Sequence, residues 1–110
     1  MTAKPAVLRP AAVLDVEDAT AYYVQEGGAA LATRWVVALE SALRHIGLHP
    51  ATGSPRYAAV LDLPGLRFWA VTRFPYLIFY LEYDDHLDVW RVLHGQRDIP
   101  AWLTEQEKSP

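Results

Sequence analysis

The chain contains no cysteine, which rules out both a disulfide framework and a thiolate zinc site. Lysine is nearly missing too: Lys4 and Lys108 stand near the two ends, so interior cationic positions are arginines. No apolar run approaches the roughly 20 residues that span a bilayer. Residues 1–19 lack the apolar segment and cleavage pattern of an export signal and turn acidic by Asp15. A net charge of −3 is the wrong sign for a general nucleic-acid binder, which neutralises phosphates with a basic surface. Nucleophile-elbow, P-loop, dinucleotide and zinc spacings are absent as well, so a cofactor enzyme is not expected. The composition points to a cytosolic protein with no membrane segment, no metal and no cofactor.

What is present is apolar and aromatic. Of 110 residues 52% are hydrophobic, with four Trp, six Tyr and three Phe, enough to pack one core and too many for a disordered chain. No shift in composition divides the chain, so a single domain over residues 1–110 is expected, with a frayed tail from about 104. Charge is patterned within it. Arg56, Arg67 and Arg73 face only Asp62 in their stretch, whereas Glu82, Asp84, Asp85 and Asp88 follow with no Lys or Arg among them.

The stretch from Leu66 to Asp98 organises the rest. Its YLIFYL run, Tyr76 to Leu81, is too short for a globular helix and reads as a central strand covered on both faces. Before it come a strand at Ala6 to Arg9, a helix from about Pro10 to Glu26, a Gly27-Gly28 turn and a second helix to about His49. Ala32, Trp35, Leu39, Ala42 and Ile46 recur there at helical spacing. Tyr57 to Leu61 and Leu66 to Thr72 read as a hairpin around Asp62 to Gly65. Leu87 to His94 is the last strand, and its apolar residues change parity after Val89, which calls for a bulge or for cover on both faces. Ile99 to Leu103 is short enough for one further helical turn. The fold class is therefore α+β: a short N-terminal strand and an antiparallel two-helix hairpin on a mainly antiparallel sheet of four to five strands.

Several local words then converge. Pro50-Ala51-Thr52-Gly53 follows the second helix, Leu66-Arg67 opens a strand, Phe74-Pro75-Tyr76 leads to Ile78 and Tyr80, and VWRVLHGQRD runs from Val89 to Asp98. In that order, across residues 6–100, the chain resembles the ParE/RelE superfamily of bacterial type II toxins. The resemblance implies a small toxin neutralised by a cognate antitoxin. RelE-like members cleave mRNA on the ribosome, and ParE-like members poison DNA gyrase. Cleavage needs an acid, a base and cations at the developing phosphorane charge. Here Tyr76 opens the central strand where the nucleases carry arginine, Gly95 follows His94 in place of a tyrosine, and lysine is missing between the ends. These departures favour a ParE-like, non-enzymatic toxin acting on gyrase by protein contact. The alternatives are a RelE-type ribonuclease and a relative that retains only antitoxin binding.

Candidate residues follow from these readings. A nuclease would use His94 as acid with Arg67 and Arg91 as cations; otherwise His94 is a strand-end histidine bonded to backbone, Arg67 pairs with an acid on a neighbouring strand, and Arg91 is a structural ion pair or an antitoxin contact. Arg97, Asp98 and Trp102 are candidates for contact with gyrase. Trp35, Trp69 and Trp90 belong either to the core or, with Arg91, to the antitoxin surface. His45 and His49, at i,i+4 spacing without a nearby carboxylate, read as a solvated helix end.

Overall fold

The structure is a computed structural model and describes residues 2–96. Its elements run β1 (Ala6–Leu8), α1 (Pro10–Leu48), a single 3-10 turn (Pro50–Thr52), β2 (Arg67–Ala70), β3 (Tyr76–Glu82) and β4 (Leu87–His94). Arg97, Asp98, Trp102 and the Ile99 to Leu103 turn expected from the sequence lie outside the described residues.

Pro10 opens α1 at the position where its missing N–H costs nothing. A straight helix of 39 residues would be about 58 Å long, at 1.5 Å per residue. The whole molecule measures 39 Å along its longest axis. The helix folds back instead, at Gly27 (φ −150°) and Gly28 (φ 71°), so the expected break is in place but takes the form of a bend within one helical element. Trp35 confirms the return of the second arm: its indole N–H donates to Thr20 Oγ1 at 3.0 Å, and its ring lies 5.6 Å from that of Tyr23. The buried stripe of the two arms, Ala12, Ala19 and Tyr23 with Ala32, Trp35, Leu39, Ala42 and Ile46, is the stripe the spacing picks out.

The sheet has the order β1-β4-β3-β2 and is mixed. β2–β3 and β3–β4 are antiparallel, but β1 joins β4 in parallel, Ala6 beside Leu87 and Leu8 beside Val89. β1 cannot be a hairpin partner of β4, because α1 carries the chain across the sheet between them. A register shift falls at Phe79/Tyr80, where Trp90 is the extra residue of β4. The shift explains the parity change: Leu87, Val89 and Val92 pack under the helix, and Trp90 and Leu93 pack on the opposite face.

That opposite face is covered by residues 55–66, and here the sequence reading needs correction. Tyr57 to Leu61 is a coil of turns, not a strand, so the sheet has four strands among the described residues. Leu61 N–H bonds Tyr57 O and Ala58 N–H bonds Pro55 O, the spacing of helical turns. Tyr57, Ala58 and Leu61 consequently point together at Phe79 and Phe68, while Val60 is 72% exposed. β2 finds its outer neighbour in Ser54, whose backbone exchanges both hydrogen bonds with Phe68.

Candidate functional site

The loop after α1 shows why its words have their spacing. Tyr80 donates its hydroxyl hydrogen bond to Pro50 O at 2.6 Å, and Arg67 Nη1 donates to Gly53 O at 2.7 Å. A Cβ on Gly53 would collide with the Tyr80 hydroxyl and stand 3.0 Å from Arg67 Cβ, so close approach, not φ, demands glycine. Arg67 is thus committed to a backbone carbonyl; the acid partner expected on a neighbouring strand is replaced by Gly53 O. Burial raises the Tyr80 phenol above its ordinary value of 10.0, with the Gly53 hydrogen bond and the Arg67 charge pulling partly back.

Arg91 is 7% exposed, and its guanidinium makes a two-pronged pair with Asp15 of α1: Nε to Oδ2 at 2.7 Å and Nη2 to Oδ1 at 2.8 Å. Asp15 Oδ2 also accepts the Val92 N–H at 3.0 Å. β1 stops at Leu8 beside Val89, so Asp15 takes over the edge of β4 where the short strand ends. The ion-pair reading of Arg91 is the one this geometry supports. Nothing in the sequence marks Asp15 as its partner, 76 residues away.

His94 ends β4 with Nδ1 accepting the Gln96 N–H at 3.2 Å and its ring against Tyr76, 5.4 Å between centroids. The register puts Arg67 opposite Tyr80 and His94 opposite Tyr76. Four residues along the strand and two strand spacings separate them by about 16 Å at the backbone. Arg67 and His94, two of the three residues a nuclease would need, are therefore far apart. Each of the three is occupied locally, Arg67 by Gly53 O, Arg91 by Asp15 and His94 by the turn that follows it.

The tryptophans divide. Trp35 is fully buried in the core and offers no face to a partner. Trp69 is half-buried with one face stacked on His45, 4.4 Å between centroids, and His45 also bonds Thr52, so this histidine packs more closely than a solvated helix end. Trp90 is 6% exposed beneath the Arg9 guanidinium, 4.0 Å above its ring, and its buried Nε1 has no acceptor among the described residues. Among the described residues no group of three His, Cys, Asp or Glu is arranged to hold a metal, and no helix is long and apolar enough to cross a membrane.

Two open cavities lie along α1. One, of about 460 Å³, is bounded by Asp15, Asp18, Tyr22, Tyr23, Tyr76 and His94 among others. The other, of about 580 Å³, runs between the second arm and the turn before β3, with Leu31, Val37 and Phe74 as apolar lining and Arg34 and Arg73 at its sides. Arg73 holds φ at 71°, a left-handed conformation unfavourable for a long side chain.

The model of a family described as ParE toxin of type II toxin-antitoxin system, parDE, matches residues 6–99. The chain belongs to the ParE toxin family. Compared by sequence with curated proteins, it matches none. A solved structure described as the chromosomal ParDE TA system from P. aeruginosa is similar over 84% of this chain and 97% of that one, with a TM-score of 0.69 and 16% identity. At that identity the likeness establishes the fold: the bent helical element on a four-stranded sheet is a ParE-type architecture.

Proposed function

We propose that this ParE family member is a cytoplasmic toxin that inhibits DNA gyrase by protein contact and is held inactive by a cognate antitoxin. The observation that carries the non-nucleolytic reading is the commitment of Arg67 and Arg91 to Gly53 O and Asp15. A guanidinium already paired with a buried carboxylate has little left to give a phosphorane. The cavity between the second arm and the turn before β3 supports the antitoxin part, since an apolar groove flanked by arginines fits the amphipathic segment of a partner. Arg97, Asp98 and Trp102, which follow β4, are the proposed gyrase contacts.

The test is gyrase supercoiling with the purified chain, with and without the neighbouring antitoxin. Linear DNA should accumulate with the chain alone and vanish when the antitoxin is added, and Arg97→Ala, Asp98→Ala or Trp102→Ala should lower it about tenfold or more. Untouched gyrase together with mRNA cut on translating ribosomes, and loss of that cutting in His94→Ala, would establish the RelE-type reading instead.

A further inference from the structure

The cavity at the end of β4 has a wall of rings. Tyr22 meets Tyr23 edge-on at 5.2 Å, Tyr23 lies 6.3 Å from Tyr76, and Tyr76 lies 5.4 Å from His94. On the same arm of α1 as Tyr22 and Tyr23, one to two turns earlier, stand two carboxylates with different circumstances. Asp15 is neutralised, both oxygens taken by Arg91 and one also by Val92 N–H. Asp18, one helical turn further on, is exposed and makes no salt bridge among the described residues. The Gly95 N–H bond to Pro75 O fixes the alternation of β4, so the backbone groups of Val92 and His94 point away from β3, past the end of β1.

We propose that this cavity receives an arginine side chain of the antitoxin, its guanidinium held two-pronged by Asp18 and stacked against Tyr22. The proposal rests on the reading of the chain as an antitoxin-bound toxin. Charge decides the sign of the occupant: the one carboxylate here without a salt bridge among the described residues is matched by a cation, and ring faces attract cations as well. Shape decides between the two basic side chains. A planar guanidinium satisfies a carboxylate and a ring face together, whereas an ammonium is a point charge that stacks on nothing. Val92 N–H is already taken by Asp15, so only the outward backbone groups of β4 beyond it, towards His94, are left for the chain that carries this arginine. The groove between Arg34 and Arg73 has the opposite sign and would not hold the same residue.

The experiment is a double-mutant cycle on the toxin–antitoxin complex. Each antitoxin arginine is changed to Ala, alone and against toxin Asp18→Asn, with Kd measured by titration calorimetry. Asp18 is exposed, so Asp18→Asn leaves the fold intact, which circular dichroism checks. The proposal expects Asp18→Asn to weaken binding about tenfold, and one arginine whose removal has no further effect in that background. A probe peptide, acetyl-Gly-Arg-Gly-amide, should shift the NMR signals of Tyr22, Tyr76 and His94, the Lys analogue weakly and the Glu analogue not at all. Equal affinity of wild type and Asp18→Asn for the antitoxin overturns the proposal and leaves the toxin reading standing. No antitoxin binding by the wild-type chain overturns both. Tighter binding of the probe by Arg97→Ala would assign the cavity to the chain's own arginine and also defeat the proposal.

Discussion

Asp15 does three things with one carboxylate: it neutralises Arg91, closes the edge of β4 and ties α1 to the sheet. The pair's side chains are only 9% and 12% exposed, so removal of one charge leaves the other stranded. Asp15→Ala is expected to cost about 3 kcal/mol in urea denaturation. A loss below about 1 kcal/mol would mean that water screens the pair. Tyr80 gives a second test, in pH. Burial raises its phenol above 10.0, and burial followed by the neighbouring Tyr76 and Tyr22 raises Tyr23 likewise. With a raised folded value, the native chain keeps its proton where the unfolded chain has released it. Stability is therefore intact below pH 10 and falls as pH climbs above it. Tyr80→Phe should start about 1 kcal/mol lower at neutral pH, having lost the bond to Pro50 O, and then fall less steeply above pH 10. Parallel pH curves for the two proteins would contradict this.

At the scale of elements the bend of α1 rests on Gly28, whose φ of 71° suits no side chain well; an added Cβ meets nothing within 4 Å, so strain alone would be felt. Gly28→Ala is expected to destabilise by about 1–2 kcal/mol in thermal or urea unfolding. An unchanged midpoint would show that the bend tolerates a right-handed backbone. Elements whose periodicity extends over many residues were legible in the sequence: both helical arms, YLIFYL as the central strand, the last strand and its parity change. The Pro50 to Gly53 loop was legible as a word, though only the structure shows Tyr80 and Arg67 bonding its carbonyls. Residues 57–61 were not legible, because a five-residue apolar run matches a strand as well as a helical turn, and the turn's i,i+4 bond decides. The parallel seating of β1 and the Arg91–Asp15 pair were hidden for another reason. Pairing between positions more than 70 residues apart leaves no local signature.

At the scale of the molecule the charge pattern resolves into architecture. The acids between Glu82 and Asp88 meet the cations of the N-terminal segment: Lys4 pairs with Glu82 at 2.7 Å and Arg9 with Asp88 at 2.9 Å, fastening β1 along β4. Asp85 is held below its ordinary value by its hydrogen bond to His86. What reads in sequence as a separation of charge thus joins the N-terminal segment to β4, and Arg67 and Arg91 are bonded to Gly53 O and Asp15 within the fold. The central claim is that this ParE chain acts on a protein target. It is tested most directly by inducing the chain in growing cells and scoring, in one sample, gyrase-linked DNA ends and ribosome-dependent mRNA ends. The account predicts DNA ends that rise with induction and disappear on co-expression of the antitoxin, over uncut mRNA. Cleaved mRNA over an intact chromosome would contradict it.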